Sequence, residues 1–288
     1  MSQEREKLRS LWKPKEANER PTTQEFMQIR NAEQAKTAIL ELGRHRLSNP
    51  SRKDKRFSPE KIEEALEHIA HTFDYAVEKH KGKKRLTGED YIFHPAAVTF
   101  KTLTDKHVLL EELTEAADTG LCHDVLEDTN TYPRELRDEI GENATRNVIL
   151  LSKNMKVFDK SPENLHIELK KISYSGFTVD ELALRKWAAK SHGSKLTRLH
   201  THTDELFTAP ALVRRVRIND RWHNLHTLPP LDITGRSPKD QAKVEKIWRE
   251  IFSETEDFIR PIAISLGVAG FAIARELRSA YKEKKRQQ

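Results

Sequence analysis

Residues 120–129, GLCHDVLEDT, place an imidazole and three carboxylates within six positions: His123, Asp124, Glu127 and Asp128. If the segment is helical, at about 3.6 residues per turn, His123 and Glu127 lie one turn apart, as do Asp124 and Asp128. The four side chains then share one broad face. An imidazole beside a carboxylate begins a divalent-metal site, and an acidic pair one turn later is placed to orient or deprotonate water. This spacing points to a metal-dependent hydrolase.

Two adjacent residues do not complete a metal's coordination, so further ligands must come from elsewhere in the chain. Upstream, His94 stands in GEDYIFHP, directly before Pro95, where a loop turns into a helix. Downstream, Asp220, Asn224 and Thr227 in RVRINDRWHNLHTL follow i, i+4, i+7 spacing and fall within roughly 60° of one helix face. The resulting set is His94, His123, Asp124 and Asp220. Two imidazoles and two carboxylates suit manganese, iron, zinc or cobalt. Neither a cysteine cluster nor HExxH argues for a closed structural zinc site. Glu127 and Asp128 are the candidate catalytic pair. An isolated His-Asp pair is ordinarily a surface or capping pair. The weight lies in HDxxED together with a histidine before it and an aspartate after it. The HxH of His200 and His202 reads as a solvated loop.

Taken together, these blocks resemble the HD-domain hydrolases of the Rel/SpoT type, which remove the 3′-pyrophosphate from the alarmone (p)ppGpp. The resemblance runs from about residue 60 to 280. Residues 67–95, EHIAHTFDYAVEKHKGKKRLTGEDYIFHP, are similar to a family segment with basic residues, a glycine and YIxHP. GLCHDVLEDT is similar to LLHDVVEDT, and residues 140–156, IGENATRNVILLSKNMK, to FG…LVxxxTK. NDRWHNLHTL (219–228) resembles ADRxHNxRTL, and ETEDFIRPIAISLGVA (254–269) resembles ETxxIYAPLAxRLGIA.

The resemblance implies a multi-helix HD fold and a single manganese ion on His94, His123, Asp124 and Asp220, with Glu127 and Asp128 as the catalytic acids. It also implies nucleotide contacts from Arg85, Asn224 and Thr227. Arginine suits position 85 because its planar fork can stack on a base or pair with phosphate. Three departures bear on substrate choice. Leu86 stands where many members carry a second basic residue, the His94–His123 spacing is a few residues longer, and residues 153–205 align poorly. No synthetase domain follows, so a stand-alone hydrolase of guanosine alarmones is expected. The alternatives are an HD-type hydrolase of another nucleotide, such as the adenosine alarmone ppApp, and a non-catalytic nucleotide sensor.

The composition agrees with a helical enzyme of this kind. The chain has 288 residues, 36% hydrophobic and 33% charged. Its 51 Lys and Arg against 45 Asp and Glu leave a net charge of +6, which favours a polyanionic small-molecule substrate. That excess is too dispersed for a nucleic-acid-binding domain, and no RNP-like motif or zinc finger occurs. Cys122 is the sole cysteine, so no intrachain disulfide can form, and its place beside Leu121 suggests a buried thiol. Without an 18-residue apolar span or a secretory signal, the expectation is a soluble cytoplasmic protein.

Helical periodicity dominates and strand alternation is nearly absent, so the fold class is all-α. Residues 1–57 read as an N-terminal helical arm and basic linker, with a helix from 23 to 42 capped near Thr22 and ended by Gly43. Trp12 and Phe26 are candidate anchors for this arm. Residues 58–288 read as the hydrolase domain with a basic C-terminal helix. Ser58-Pro59-Glu60 starts its first helix, whose stripe is Ile62, Ala65, Leu66, Ile69 and Phe73. Further helices are expected at 95–104, 108–129, 133–153, 162–173, 178–191, 201–207, 209–228, 237–258 and 260–285.

Overall fold

The computed structural model describes residues 22–49, 56–153, 206–229 and 237–286. Among these the protein is helical throughout, its sole β pairing being an isolated bridge between Lys84 and Asp90. The helices are α1 (Thr23–Phe26), α2 (Ala32–Ser48), α3 (Pro59–Lys79), α4 (Phe93–Thr104), α5 (Leu113–Cys122) and α6 (Val125–Asp128). They continue with α7 (Pro133–Leu151), α8 (Ala211–Thr227), α9 (Pro238–Glu254), α10 (Arg260–Ile264) and α11 (Val268–Arg286). The helices expected at 162–173 and 178–191 lie outside the described residues, as do Trp12, His200 and His202.

At the centre of the fold is α4. Nearly every one of its side chains is buried, and it packs against α2, α5 and α8. A helix apolar on all sides must sit inside a bundle. Around it, α3 is amphipathic as its sequence demands. Ser58 accepts from the Lys61 amide, Pro59 occupies the first turn, and Ile62, Leu66, Ile69, Phe73 and Ala76 form the buried stripe.

The helix expected from 23 to 42 is instead two. The Thr22–Glu25 capping box starts α1, and Asn31 caps α2 by accepting from the amides of Glu33 and Gln34. Gly43 does not end α2. It is buried inside the helix, where an added Cβ would stand 3.2 Å from Leu66 Cδ2, so its smallness permits α2 to lie close on α3. Both helices are built into the core: Phe26 stacks on Phe100 with ring centroids 4.3 Å apart, and Ala38, Ile39 and Leu42 are fully buried.

The expected 108–129 helix is also interrupted. A 3-10 turn (Leu110–Glu112) precedes α5, and the chain turns at His123–Asp124 before α6. Gly141, at φ 79°, kinks α7, and Gly267, at φ 74°, separates α10 from α11. Between α9 and α10, Thr255–Ile259 form a π-helical turn.

Candidate metal centre

Three parts of the core converge on one point. His94 lies in the first turn of α4, His123 and Asp124 form the turn after α5, and Asp220 lies in α8. From His94 Nε2 it is 3.2 Å to His123 Nε2, 3.3 Å to Asp124 Oδ2 and 3.2 Å to Asp220 Oδ1. His123 Nε2 lies 3.1 Å from Asp124 Oδ2 and 3.9 Å from Asp220 Oδ1. Donor atoms bound to one divalent ion at about 2.1 Å are spaced by about 3 Å, so His94, His123 and Asp124 fit such an ion, with Asp220 Oδ1 close to both imidazoles. Among the described residues, His94, His123 and Asp124 are also the group whose ligand atoms come close enough to hold a metal.

The break in the helix explains this convergence and corrects the picture of a single shared face. On a continuous helix, adjacent residues point about 100° apart. Asp124, at φ −100° and ψ −3°, leaves helical geometry and brings its carboxylate beside its neighbour's imidazole. The close approach of α4 and α5 depends on Gly120, where an added Cβ would come within 2.5 Å of Thr99 Oγ1.

The surrounding hydrogen bonds orient each donor. Nδ1 of His123 is 2.8 Å from the Gly120 carbonyl, which holds the proton there and leaves Nε2 facing the cluster. Nδ1 of His94 faces Nδ1 of His223 at 2.8 Å. Burial, and then the neighbouring His94, push His223 far below the ordinary imidazole range, so it is a neutral partner. Tyr91 Oη donates to Asp124 Oδ2 (2.7 Å), Asn224 Nδ2 to Asp220 Oδ1 (2.6 Å) and Arg217 Nη1 to Asp220 Oδ2 (2.7 Å). Burial alone would raise both aspartates. His123 beside Asp124 and Arg217 beside Asp220 outweigh it and keep both carboxyls ionised. Reciprocally, burial lowers His123, but Asp124 lifts it to about 9. Such a pair, with a proton between two good ligands, is what a divalent cation would replace.

The two candidate acids diverge. Glu127 lines a cavity of about 250 Å³ together with His94, Asp124 and Asp220, and its Oε1 accepts the Lys153 amide. Burial and the nearby Asp124 raise its carboxyl. Asp128 is not among the lining residues; its Oδ2 lies 3.6 Å from Lys83 Nζ. Arg85, on a loop that turns at Gly82 (φ 76°) and Gly88 (φ 88°), sends Nη2 to Asn224 Oδ1 (2.9 Å) and Thr227 Oγ1 (3.0 Å). Its guanidinium stands 5.8 Å from the Tyr91 ring centre. Arg85 thus joins the other two predicted substrate contacts, Asn224 on the cavity that Glu127 lines and Thr227 beside it. Leu86 and Thr227 line a second cavity, of about 740 Å³, closed on another side by Phe26 and Met27 from α1 and its end.

Lys153, Arg217, Arg221 and Glu254 also line the smaller cavity, and the sequence reading did not assign them. Arg217 precedes Asp220 by three residues on α8, a spacing that could have suggested it. Glu254 comes from a helix distant in sequence; it opens the ETEDF block that resembles ETxxIY, but nothing in that block points to the cavity. Cys122 is fully buried, and burial raises its thiol well above the ordinary range, as suits an inert core residue.

An all-helical core thus brings a His-Asp turn, a distant histidine and a distant aspartate to one buried point. No family model matches the chain. It is similar to a guanosine-3′,5′-bis(diphosphate) 3′-pyrophosphohydrolase of Aquifex aeolicus, 37% identical over 100 residues, which cover 34% of this chain and 13% of that protein. A probable enzyme of the same name from Synechocystis is 27% identical over 208 residues, 70% of this chain and 20% of its own length. The one from Haemophilus influenzae is 27% identical over 203 residues, 67% of this chain and 28% of its own. The matches therefore span less than a third of these relatives' lengths. The chain is related to the HD-type hydrolases, and among them to proteins named as (p)ppGpp 3′-pyrophosphohydrolases.

Proposed function

We propose that this protein hydrolyses the 3′-pyrophosphate of guanosine alarmones, yielding GDP or GTP and pyrophosphate. The convergence of His94, His123, Asp124 and Asp220 beside a half-buried glutamate, Glu127, and an arginine, Arg85, that line the same cavity carries the reading. These four residues would hold one divalent ion, assigned here as manganese. When bound, it supplies positive charge that acidifies water and stabilises charge on phosphoryl oxygens. Glu127 orients the attacking water and takes its proton. Its raised carboxyl makes it a stronger base than an exposed glutamate. Water oxygen bonds to the phosphorus attached at the 3′ position, the bond from that phosphorus to the 3′ oxygen breaks, and the proton returns to the 3′ oxygen. Asp128, held by Lys83, is assigned to the outer side of this water. Arg85, Asn224 and Thr227 hold the nucleoside end. The division into residues 1–57 and a hydrolase domain 58–288 is part of the same proposal, with residues 22–49 docked on the domain.

Leu86 favours a second substrate within the same chemistry. It is 47% exposed and lines the larger cavity with a hydrocarbon side chain, which suits a nucleotide with fewer anionic groups near its base, or an adenosine alarmone. The substrate is expected to be a small nucleotide, without specific nucleic-acid binding. No helix among the described residues is long and apolar enough to cross a membrane. A cytoplasmic setting remains the reading from sequence.

The test is chromatographic product analysis after incubation with ppGpp, with and without manganese. Manganese-dependent release of GDP and pyrophosphate establishes the reaction. Absence of turnover by folded, metal-loaded protein, with ppApp cleaved instead, moves the assignment to the second substrate.

A further inference from the structure

Three cations meet a single carboxylate on the wall of the 250 Å³ cavity. Glu254 Oε2 lies 2.9 Å from Lys153 Nζ and 2.6 Å from Arg221 Nη2, while Arg217 Nη2 donates to Oε1. Arg217 reaches Asp220 with its other terminal nitrogen. Both arginines are buried, and the Nε atom of each is buried without a hydrogen-bond partner among the described residues. Arg217 is shared between Glu254 and Asp220, while Lys153 and Arg221 share Glu254, so three cations lie close together around two carboxylates. The three cations exceed these two carboxylates by one positive charge, which a further anion can offset.

The wall is mechanically tied to the candidate catalytic acid. The Lys153 main-chain amide donates to Glu127, while its side chain reaches Glu254. Glu254 is the last residue of α9, and the π-helical turn Thr255–Ile259 follows it directly. Single π turns recur at functional sites because the added residue re-aims the side chains beside it.

We infer that Glu254 is a positioning residue that gathers Lys153, Arg217 and Arg221 into a preformed seat for a diphosphate group next to the metal cluster. Resting on the hydrolytic reading above, this inference assigns the seat to the pyrophosphate that leaves. Glu254 holds the cations in place between turnovers, and the diphosphate oxygens pair with the Lys153 ammonium and the guanidinium groups that line the cavity.

The test is calorimetric titration of inorganic pyrophosphate into the full chain, with magnesium in excess so that the anion does not strip a bound metal. Wild-type protein is expected to bind. Glu254→Gln should bind at least tenfold more weakly with unchanged metal content, and Glu254→Asp should recover part of the loss. Lys153→Met and Arg221→Met should each weaken binding about fivefold, and they decide the matter if Glu254→Gln does not fold. Wild-type affinity in the folded variants, or no binding by wild type, overturns the seat. Alarmone hydrolysis with wild-type pyrophosphate affinity in Glu254→Gln removes the seat and leaves the reaction. Glu254-dependent pyrophosphate binding in a protein that cleaves no alarmone leaves the seat and removes the substrate.

Discussion

Asp220 shows how much a single side chain carries here. One oxygen faces both imidazoles and accepts from Asn224, and the other is fixed by Arg217. Asp220→Asn removes the negative charge but keeps the size, so metal content measured by elemental analysis should fall at least tenfold while the thermal melt stays cooperative. Unchanged occupancy would remove Asp220 from the ligand set. A second ionic pair, away from the centre, offers a pH signature. His68 Nε2 lies 2.9 Å from the buried carboxylate of Asp118, which also accepts from Thr72, and that hydrogen bond raises the imidazole. A raised folded-state value means the stabilisation is complete below the unfolded histidine value of about 6.5 and is lost as pH rises through the folded value. His68→Gln should therefore destabilise the protein more at pH 6 than at pH 9 in urea melts. An equal loss at both pH values would show that the pair contributes only as a neutral hydrogen bond. Both aspartates were visible in the sequence as carboxylates, but only Asp220 stood in a legible motif. Asp118 draws its partner from 50 residues away.

At the scale of elements, the contact of α4 with α5 decides whether the centre exists. Gly120 faces Thr99, whose hydroxyl is already bonded to the Pro95 carbonyl at 2.8 Å. Gly120→Ala would force the two helices apart, at a cost of about 1–3 kcal/mol. Chemical denaturation should show that loss, and metal affinity should fall with it, because His94 and His123 ride on the two separated helices. Stability and affinity equal to wild type would mean the helices accommodate a methyl group without moving. Periodicity located α3, α4 and α8 well, because an amphipathic or fully apolar pattern is a property of the local sequence. It missed the turn at His123–Asp124. Nothing in LCHDVL breaks a helix by propensity, and the turn is stabilised by what its two side chains meet across the core.

For the whole molecule, the candidate metal centre is also a clasp. Its donors come from α4, from the turn between α5 and α6, and from α8. An ion that binds only the folded state stabilises it by about 2.7 kcal/mol at a hundred times its Kd. Chelation should lower the melting temperature by several degrees and manganese should restore it, whereas Asp220→Asn should respond to neither. A melt indifferent to chelator in the wild type would exclude a resident ion at this position.

The sequence by itself determined the helical class, the start of α3, the capping box at Thr22, and the four side chains that meet at the centre. Each is written in local periodicity, in capping chemistry or in a motif whose residues are near neighbours along the chain. Only the tertiary structure decided that Gly43 and Gly120 are contact points between helices, that Glu127 and Asp128 part company, and that Glu254 gathers three cations beside the metal cluster. Those facts depend on which helices touch, as when Lys153 meets Glu254 a hundred and one positions away.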